Sequence, residues 1–547
     1  GVEAEVAGID AGDFSLNAFG VSGNSVVLDV NHIYGGSGVY LDGGDRDDFD
    51  RGGTSSDYLS GGGGDDTLGG AGGDDTLTGG GGSNTFVALN AAFTGSNFGD
   101  DILVTDFNVG QDQIEIIGSA GFSSLVFDSE GSEQYVTFGN TTMTFLNVGQ
   151  SVENAGLFVF RVLAEGGFES DENGWSIGYG EDDGNVTISG GAAYDSGVVR
   201  IGSDAFSDGT VTVTDADSLW RITLPDYEDR IIIGNDGSGS GGESGHAGTL
   251  NVTNNATVRI AADEGNAEVF SAGMLIGRGG YGIVSVSGGG LLEIVDPGLK
   301  GDVYMNLGGS MGQSNGFGEV TVTGTDSRIS MQSLTAGVTL GRNGFQGEGH
   351  LSVLDGGRFE MHGIDGAGMN IGRSDADGTL LVDGAGSVLH IHSALDPYLQ
   401  IGRDAVSQGS ATVSNGGLIE MIGSNAFLSV GRAGDGESPL STLEINSGGT
   451  VTLDGEADDA NVSIGHEVNG FGRVTVTGAG SNLSTTGTET RVTVGNEGDG
   501  ELRILDGGLV ETLYVQVGRA VGSEGSVLLD GAGHRHPAEA VHLVTDG

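Results

Sequence analysis

Residues 43–87 read GGDRDDFDR, GGTSSDYLS, GGGGDDTLG, GAGGDDTLT and GGGGSNTFV, five nine-residue units in unbroken register. Each unit opens on small residues, mostly glycine, and carries Asp or Asn at its sixth position: Asp48, Asp57, Asp66, Asp75 and Asn84. From the second unit on the eighth position is apolar, with Leu59, Leu68, Leu77 and Phe86; the first unit has Asp50 there. Glycines let the chain turn through positive φ and aim backbone carbonyls inward. In a two-sided roll each unit supplies half a coil, so units n and n+2 share a side. That pairs Asp48 with Asp66, Asp57 with Asp75, and Asp66 with Asn84.

Carboxylates one strand spacing apart, about 5 Å, repel by roughly 1 kcal/mol in water and several times that at a protein surface. No Lys or Arg lies between residues 52 and 87, so a bound cation is the natural neutraliser. Calcium takes roughly six to eight hard oxygen ligands, carboxylate and carbonyl alike. The candidate ligands are Asp48, Asp57, Gly61, Gly62, Gly63, Gly64, Asp66, Gly70, Gly72, Gly73, Asp75, Gly79, Gly81 and Asn84. A flexible glycine-rich linker is the plainer reading, but a linker has no reason to hold Asp and Leu in nine-residue register. The units resemble the haemolysin-type (RTX) repeat, G-G-x-G-x-D-x-U-x. That resemblance implies a parallel β-roll with Ca2+ as its bound ion.

The rest of the composition agrees with an elongated architecture, and its acidity fits a divalent-cation binder or a protein living at high ionic strength. A chain of 547 residues is too long for one compact core, so several domains or a repeat array is expected. Glycine contributes 110 residues and proline 5, and the formal charge is −57 with Lys300 as the single lysine. Such a charge argues against binding nucleic acid or an anionic membrane. Cysteine is absent, which removes disulfides. No apolar run approaches the ~20 residues of a membrane span, so no membrane insertion is expected. The chain starts without Met or a signal peptide and reads as a soluble piece of something longer.

Around the repeats the chain reads as strands throughout, an all-β fold class. Residues 1–42 form a β-rich lead-in whose phrase GIDAGDFSL resembles the end of an immunoglobulin-like repeat of large bacterial adhesins; a generic β-extension capping the roll is the alternative. Residues 88–165 resemble the segment that closes the roll in serralysins, where Asp106, Phe107, Gly110, Asp112 and Ile114 match the phrase D-F-x-x-G-x-D-x-I. Serralysins carry an H-E-x-x-H protease domain and this chain has no such motif, so no proteolytic role transfers.

Residues 166–533 form a second array. A phrase of alternating apolar residues followed by Gly, and often Arg, recurs with glycines at 178, 202, 234, 277, 308, 341, 372, 402, 431, 465, 495 and 518. Alternation at period two argues strands, and about 30 residues with three short strands is one coil of a β-solenoid. Stacked coils share the core that a single coil lacks. About twelve coils at ~4.8 Å each give a rod on the order of 60 Å. These repeats resemble the β-solenoids of autotransporter passengers and PEP-CTERM-associated surface proteins. Residues 534–547 break the pattern and are expected to be a cap or interface.

Arg278, Arg342, Arg373, Arg403, Arg432 and Arg519 follow repeat glycines and stack near one edge. A ladder paired with neighbouring Asp and Glu is expected, with a basic stripe for acidic glycans as the alternative. His390 and His392 share one face of a strand, and His534 and His536 form an H-x-H. Either pair suits a transition metal, with no third ligand assignable, and surface histidines are the ordinary reading.

The functional expectation is a secreted, calcium-binding structural or adhesive surface protein, a subunit of an extracellular filament or layer. The resemblance implies type I export from a Gram-negative bacterium. The expected partners are further copies joined head to tail or other surface proteins, with glycans as possible ligands. No catalytic site is expected, because the repeats are near-uniform and only Trp175 and Trp220 offer indole platforms. A carbohydrate-active enzyme or lectin on the β-helix is the alternative.

Overall fold

The computed structural model describes most of residues 38–89, 101–117, 126–152 and 158–530, together with the strands Val2–Glu5, Phe14–Asn17, Val26–Asp29 and Leu543–Val544. The longest stretches outside the described residues are 6–13, 18–25, 30–37, 90–100, 118–125, 153–157, 225–229, 236–246, 263–270, 310–315, 433–439 and 531–542. Every regular element among the described residues is a strand. The chain divides into two units, 1–165 with 187–194, and 166–186 with 195–547.

The first unit is a roll of two facing sheets. One has seven strands, running from Val2–Glu5 through Phe49–Arg51, Thr67–Gly69 and Thr85–Leu89 to Phe158–Phe160; the other has eight and includes Val39–Gly44, Tyr58–Gly63 and Asp74–Gly81. Sequence neighbours alternate between the sheets, so parallel partners lie two units apart: Leu59 opposes Leu77, and Leu68 opposes Phe86. The eighth-position side chains stack into two columns. Leu41, Leu59, Leu77 and Val104 form one, Leu68, Phe86 and Ile114 the other, all 0% exposed. Asp50 fills the second column opposite Leu68.

The described strands of the lead-in join the sheets of the roll. Val2–Glu5 pairs in parallel with Val26–Asp29, which pairs with Phe49–Arg51, and Phe14–Asn17 pairs in parallel with Val39–Gly44. The described strands within 1–42 thus extend the two sheets of the roll. At the other end Asp101–Val104 and Gln113–Ile117 continue the parallel coils. The eight-stranded sheet then closes on an antiparallel meander of Val126–Glu130, Glu133–Phe138 and Thr141–Phe145. Phe107 packs between Phe86 and Phe145, with ring centroids 5.8 and 5.0 Å apart.

The second unit is a β-solenoid. A coil has three strands, as in Ala247–Val252, Thr257–Ala262 and Ser271–Arg278, and the next coil repeats them as Tyr281–Ser287, Leu291–Val295 and Asp302–Leu307. In two coils the second and third strands fuse into Arg328–Arg342 and Arg358–Arg373. Alternate residues point inward and stack on their counterparts. Ile233, Ile276, Leu307, Leu340, Ile371, Ile401, Val430, Ile464 and Val494 form one in-register column, each 0% exposed.

All twelve repeat glycines take positive φ, between 60° and 73°. A Cβ on Gly277 would sit 2.0 Å from the carbonyl oxygen of Phe317, at the start of Phe317–Thr323, so only glycine lets the chain approach here. The serines at the next turn link coils as well. Ser327, Ser387 and Ser481 accept the N–H of Gly289, Gly356 and Gly448, respectively, from the preceding coil. Leu543–Val544 pairs in parallel with Tyr514–Val517; the remainder of 534–547 lies outside the described residues.

Candidate functional site: the carboxylate ladder of the roll

The sixth-position residues face inward at the turns and are buried: Asp48 is 4% exposed, Asp57 5%, Asp66 2%, Asp75 1% and Asn84 2%. Each is tied to its counterpart in the neighbouring coil through the main chain. The N–H of Asp48 donates to Asp66 Oδ1 at 2.8 Å, that of Asp57 to Asp75 Oδ1 at 2.8 Å, and that of Asp66 to Asn84 Oδ1 at 3.0 Å. These are the pairs that nine-residue register predicts. A second, outer ladder runs the other way at the fifth position, where the N–H of Asp65 donates to Asp47 Oδ1 and that of Ser83 to Asp65 Oδ1.

The glycines supply the room. A Cβ on Gly61 would come within 2.3 Å of Asp66 Oδ2, and Gly70 stands in the same relation to Asp75 and Gly79 to Asn84. Gly62, Gly64 and Gly73 turn the chain at φ of 96°, 126° and 112°. Gly63 and Gly81 lie on the outer rim of the turn at the ends of Tyr58–Gly63 and Asp74–Gly81. Gly72 donates its N–H to the Gly53 carbonyl of the coil before.

Two residues outside the nine-residue repeats complete the ladder. Asp112 Oδ1 accepts the N–H of Asn84 at 2.9 Å and its Oδ2 that of Asn108 at 2.7 Å. Asp106 accepts the N–H groups of Gly79 and Gly80 at 2.8 and 2.7 Å. Both residues stand in the closing phrase, but the change from an 18-residue to a 28-residue step hides their place in the ladder.

Burial raises the carboxyl pKa at three rungs of the ladder, Asp57, Asp66 and Asp112. Asp66 is pushed up to about 6, by desolvation first and by the charges of Asp48, Asp47 and Asp65, against the hydrogen bond from Asp48. Desolvation likewise raises Asp57 and Asp112. Asp50, enclosed in the apolar column, is pushed up to about 8 by desolvation and then by Asp48, Asp66 and Asp42.

Two observations test whether these residues fit a hard divalent cation. Asp66 Oδ2 is buried with no hydrogen-bond partner, and the space beside it is one that a Cβ on Gly61 would fill. Clustered acidic oxygens beside glycine carbonyls are the donor set that calcium prefers. The residues fit.

The arginine ladder of the solenoid is only partly paired. Asp404 lies 3.8 Å from both Arg373 and Arg403, and Arg432 meets Glu467 at 3.0 Å. Arg278 and Arg342 instead line an open cleft of about 420 Å³ with Arg230, Tyr304, Asp302 and Thr335. The Nε atoms of Arg278 and Arg342 are buried there without a hydrogen-bond partner. Desolvation and the charges of Arg373, Arg230 and Arg403 lower the Arg342 pKa.

No protein-family model matches the chain, and no curated protein matches it. Among solved structures it is similar to a crystal structure of a TibC-catalysed, hyper-glycosylated TibA fragment. The identity is 17% over 64% of this chain and 98% of that chain, with a TM-score of 0.19. A likeness at that level carries no argument about this chain.

Proposed function

We propose that this chain is a secreted, calcium-loaded structural or adhesive surface protein of an extracellular filament or layer, its roll set by Ca2+ and its solenoid a rigid spacer. The carrying observation is the buried ladder of Asp48, Asp57, Asp66, Asp75, Asn84 and Asp112, which brings like charges together around glycine-lined turns. Calcium would be held by these side chains and by carbonyls of the turn glycines among residues 61–64, 70–73 and 79–81. The ion would supply the charge neutralisation that the chain lacks. The resemblance to haemolysin-type repeats adds the expectation of type I export as an unfolded chain and folding outside the cell, where calcium is abundant.

The test is far-ultraviolet circular dichroism of the full chain in millimolar calcium and in excess EGTA. Loss of part of the β signal on chelation, restored by calcium but not by sodium, supports the reading. An unchanged spectrum with no calcium bound by equilibrium dialysis overturns it. Head-to-tail self-association predicts filaments by negative-stain electron microscopy in calcium.

A second reading is favoured by one observation, the cleft of Arg230, Arg278 and Arg342. Guanidinium groups with an aromatic neighbour suit the carboxylates of an acidic glycan. Binding of a polyuronate without turnover would mark a lectin, and release of reducing ends an enzyme.

A further inference from the structure

The solenoid brings a third histidine to the pair His390 and His392. His362 lies one coil earlier and stands in register with His392, while Glu360 stands in register with His390. Inward positions of the two strands are occupied by Phe359, Met361, Leu389 and Ile391, each 0% exposed. The imidazoles therefore share the outer face. Their ring centroids form a triangle with sides of 5.3, 5.8 and 5.9 Å. One nitrogen from each ring falls within 4.8 Å of the others.

We propose that His362, His390 and His392 form a binding site for a divalent transition metal of the zinc and copper class. A tetrahedral ion with bonds of about 2.0 Å needs its nitrogens roughly 3.3 Å apart. Small side-chain rotations at a solvent-facing site close that gap. Imidazole nitrogen selects zinc, copper or nickel over calcium, so the site is chemically distinct from the carboxylate ladder. Three protein ligands leave a fourth position open to water or to a donor from a partner.

The surroundings match a metal site in two further respects. His390 Nδ1 lies 3.0 Å from Glu420 Oε2, contributed by the following coil. With Nδ1–H donated to that carboxylate, Nε2 presents its lone pair outward, the outer-sphere arrangement common to metal-bound histidines. The two nearby guanidiniums are also accounted for. Arg358 and Arg328 lie 2.7 and 3.6 Å from Glu360, so their charge is opposed before it reaches the imidazoles. Glu360 Oε2 is 4.0 Å from His362 Nε2.

The test is a titration of the full chain with Co2+ and Zn2+ in millimolar calcium, which occupies hard-oxygen sites. One equivalent of Co2+ should bind with the strong visible bands of a low-symmetry, nitrogen-ligated ion, and Zn2+ should displace it. His362→Gln, His390→Gln and His392→Gln should each weaken binding at least 100-fold with unchanged far-ultraviolet dichroism. Glu420→Gln should weaken it by roughly 10- to 100-fold. The double variant His534→Gln/His536→Gln, which removes the H-x-H outside the described residues, should bind as the parent does. Binding that persists in the His362→Gln/His390→Gln/His392→Gln variant, or that is lost in the His534/His536 variant, overturns the proposal, as does a parent that binds no Co2+.

Discussion

The backbone N–H of Asp48 donates to Asp66 Oδ1 across 2.8 Å, from one coil of the roll to the next on the same side. The hydrogen bond satisfies the main chain at a turn where sheet pairing has ended. It also fixes the carboxylate in a buried position. One oxygen is used for structure while the other, Asp66 Oδ2, faces the glycine-lined space without a partner.

Asp66→Asn separates these two uses. The amide oxygen can still accept from Asp48, as Asn84 does from Asp66, but the charge is gone. In EGTA the variant should melt higher than the parent, because desolvation and repulsion by Asp48 are relieved. In calcium it should melt lower and bind the ion at least tenfold more weakly. Differential scanning calorimetry in the two buffers reads both signs, and an equal shift in both would refute the assignment.

Asp50→Leu should stabilise the roll with or without calcium. Both carboxyl oxygens of Asp50 are buried without a hydrogen-bond partner, and the positions in register on either side of it are apolar, Leu28 and Leu68. An unsatisfied buried polar group costs about 1–3 kcal/mol, so a gain of that order is expected in chemical denaturation. Destabilisation of the calcium form alone would show instead that Asp50 serves as a ligand.

The cation-free roll should weaken as pH rises. Asp50 and Asp66 are raised above the unfolded value of about 3.9, to about 8 and about 6. The folded state therefore holds protons that the unfolded chain has released. Their contribution is complete below about pH 4 and is lost as pH rises through 6 and then 8. In EGTA the melting temperature should fall between pH 5 and pH 9, and Asp50→Leu should remove the upper part of that fall. A rise over the same range in EGTA would contradict the pKa directions.

Gly277→Ala tests the solenoid alone. The residue has φ of 71°, and an added Cβ would meet the Phe317 carbonyl at 2.0 Å. The left-handed conformation alone costs roughly 1–2 kcal/mol for a residue with a Cβ, and the clash adds to it. Hydrogen exchange should accelerate in Ser271–Arg278 and Phe317–Thr323 while the roll is unaffected.

Much of this architecture is legible in the residues themselves. Nine-residue register places Leu59 beside Leu77 and Asp57 beside Asp75, because which side a residue faces follows from local turn geometry and period-two alternation. The twelve glycines could be picked out for the same reason: each is fixed by the positive φ of its own turn. The direction of pairing is not legible in the same way, since a strand such as Phe14–Asn17 does not carry the sign of its partner's direction. Pairing direction is set by the path of the chain between strands.

The same division holds for the candidate sites. Sequence alone determined that Asp48, Asp57, Asp66, Asp75 and Asn84 form a ladder, and that His390 and His392 share a face. Only the tertiary structure decided that Asp112 extends the ladder, that Asp50 is sealed against Leu68, and that His362 meets His392. Repeat glycines are spaced anywhere from 23 to 43 residues apart, because the turns between strands vary while the strands stack in register. Which residues of successive coils touch is therefore settled by stacking, through main-chain hydrogen bonds and the apolar columns, and no fixed interval in the sequence records it.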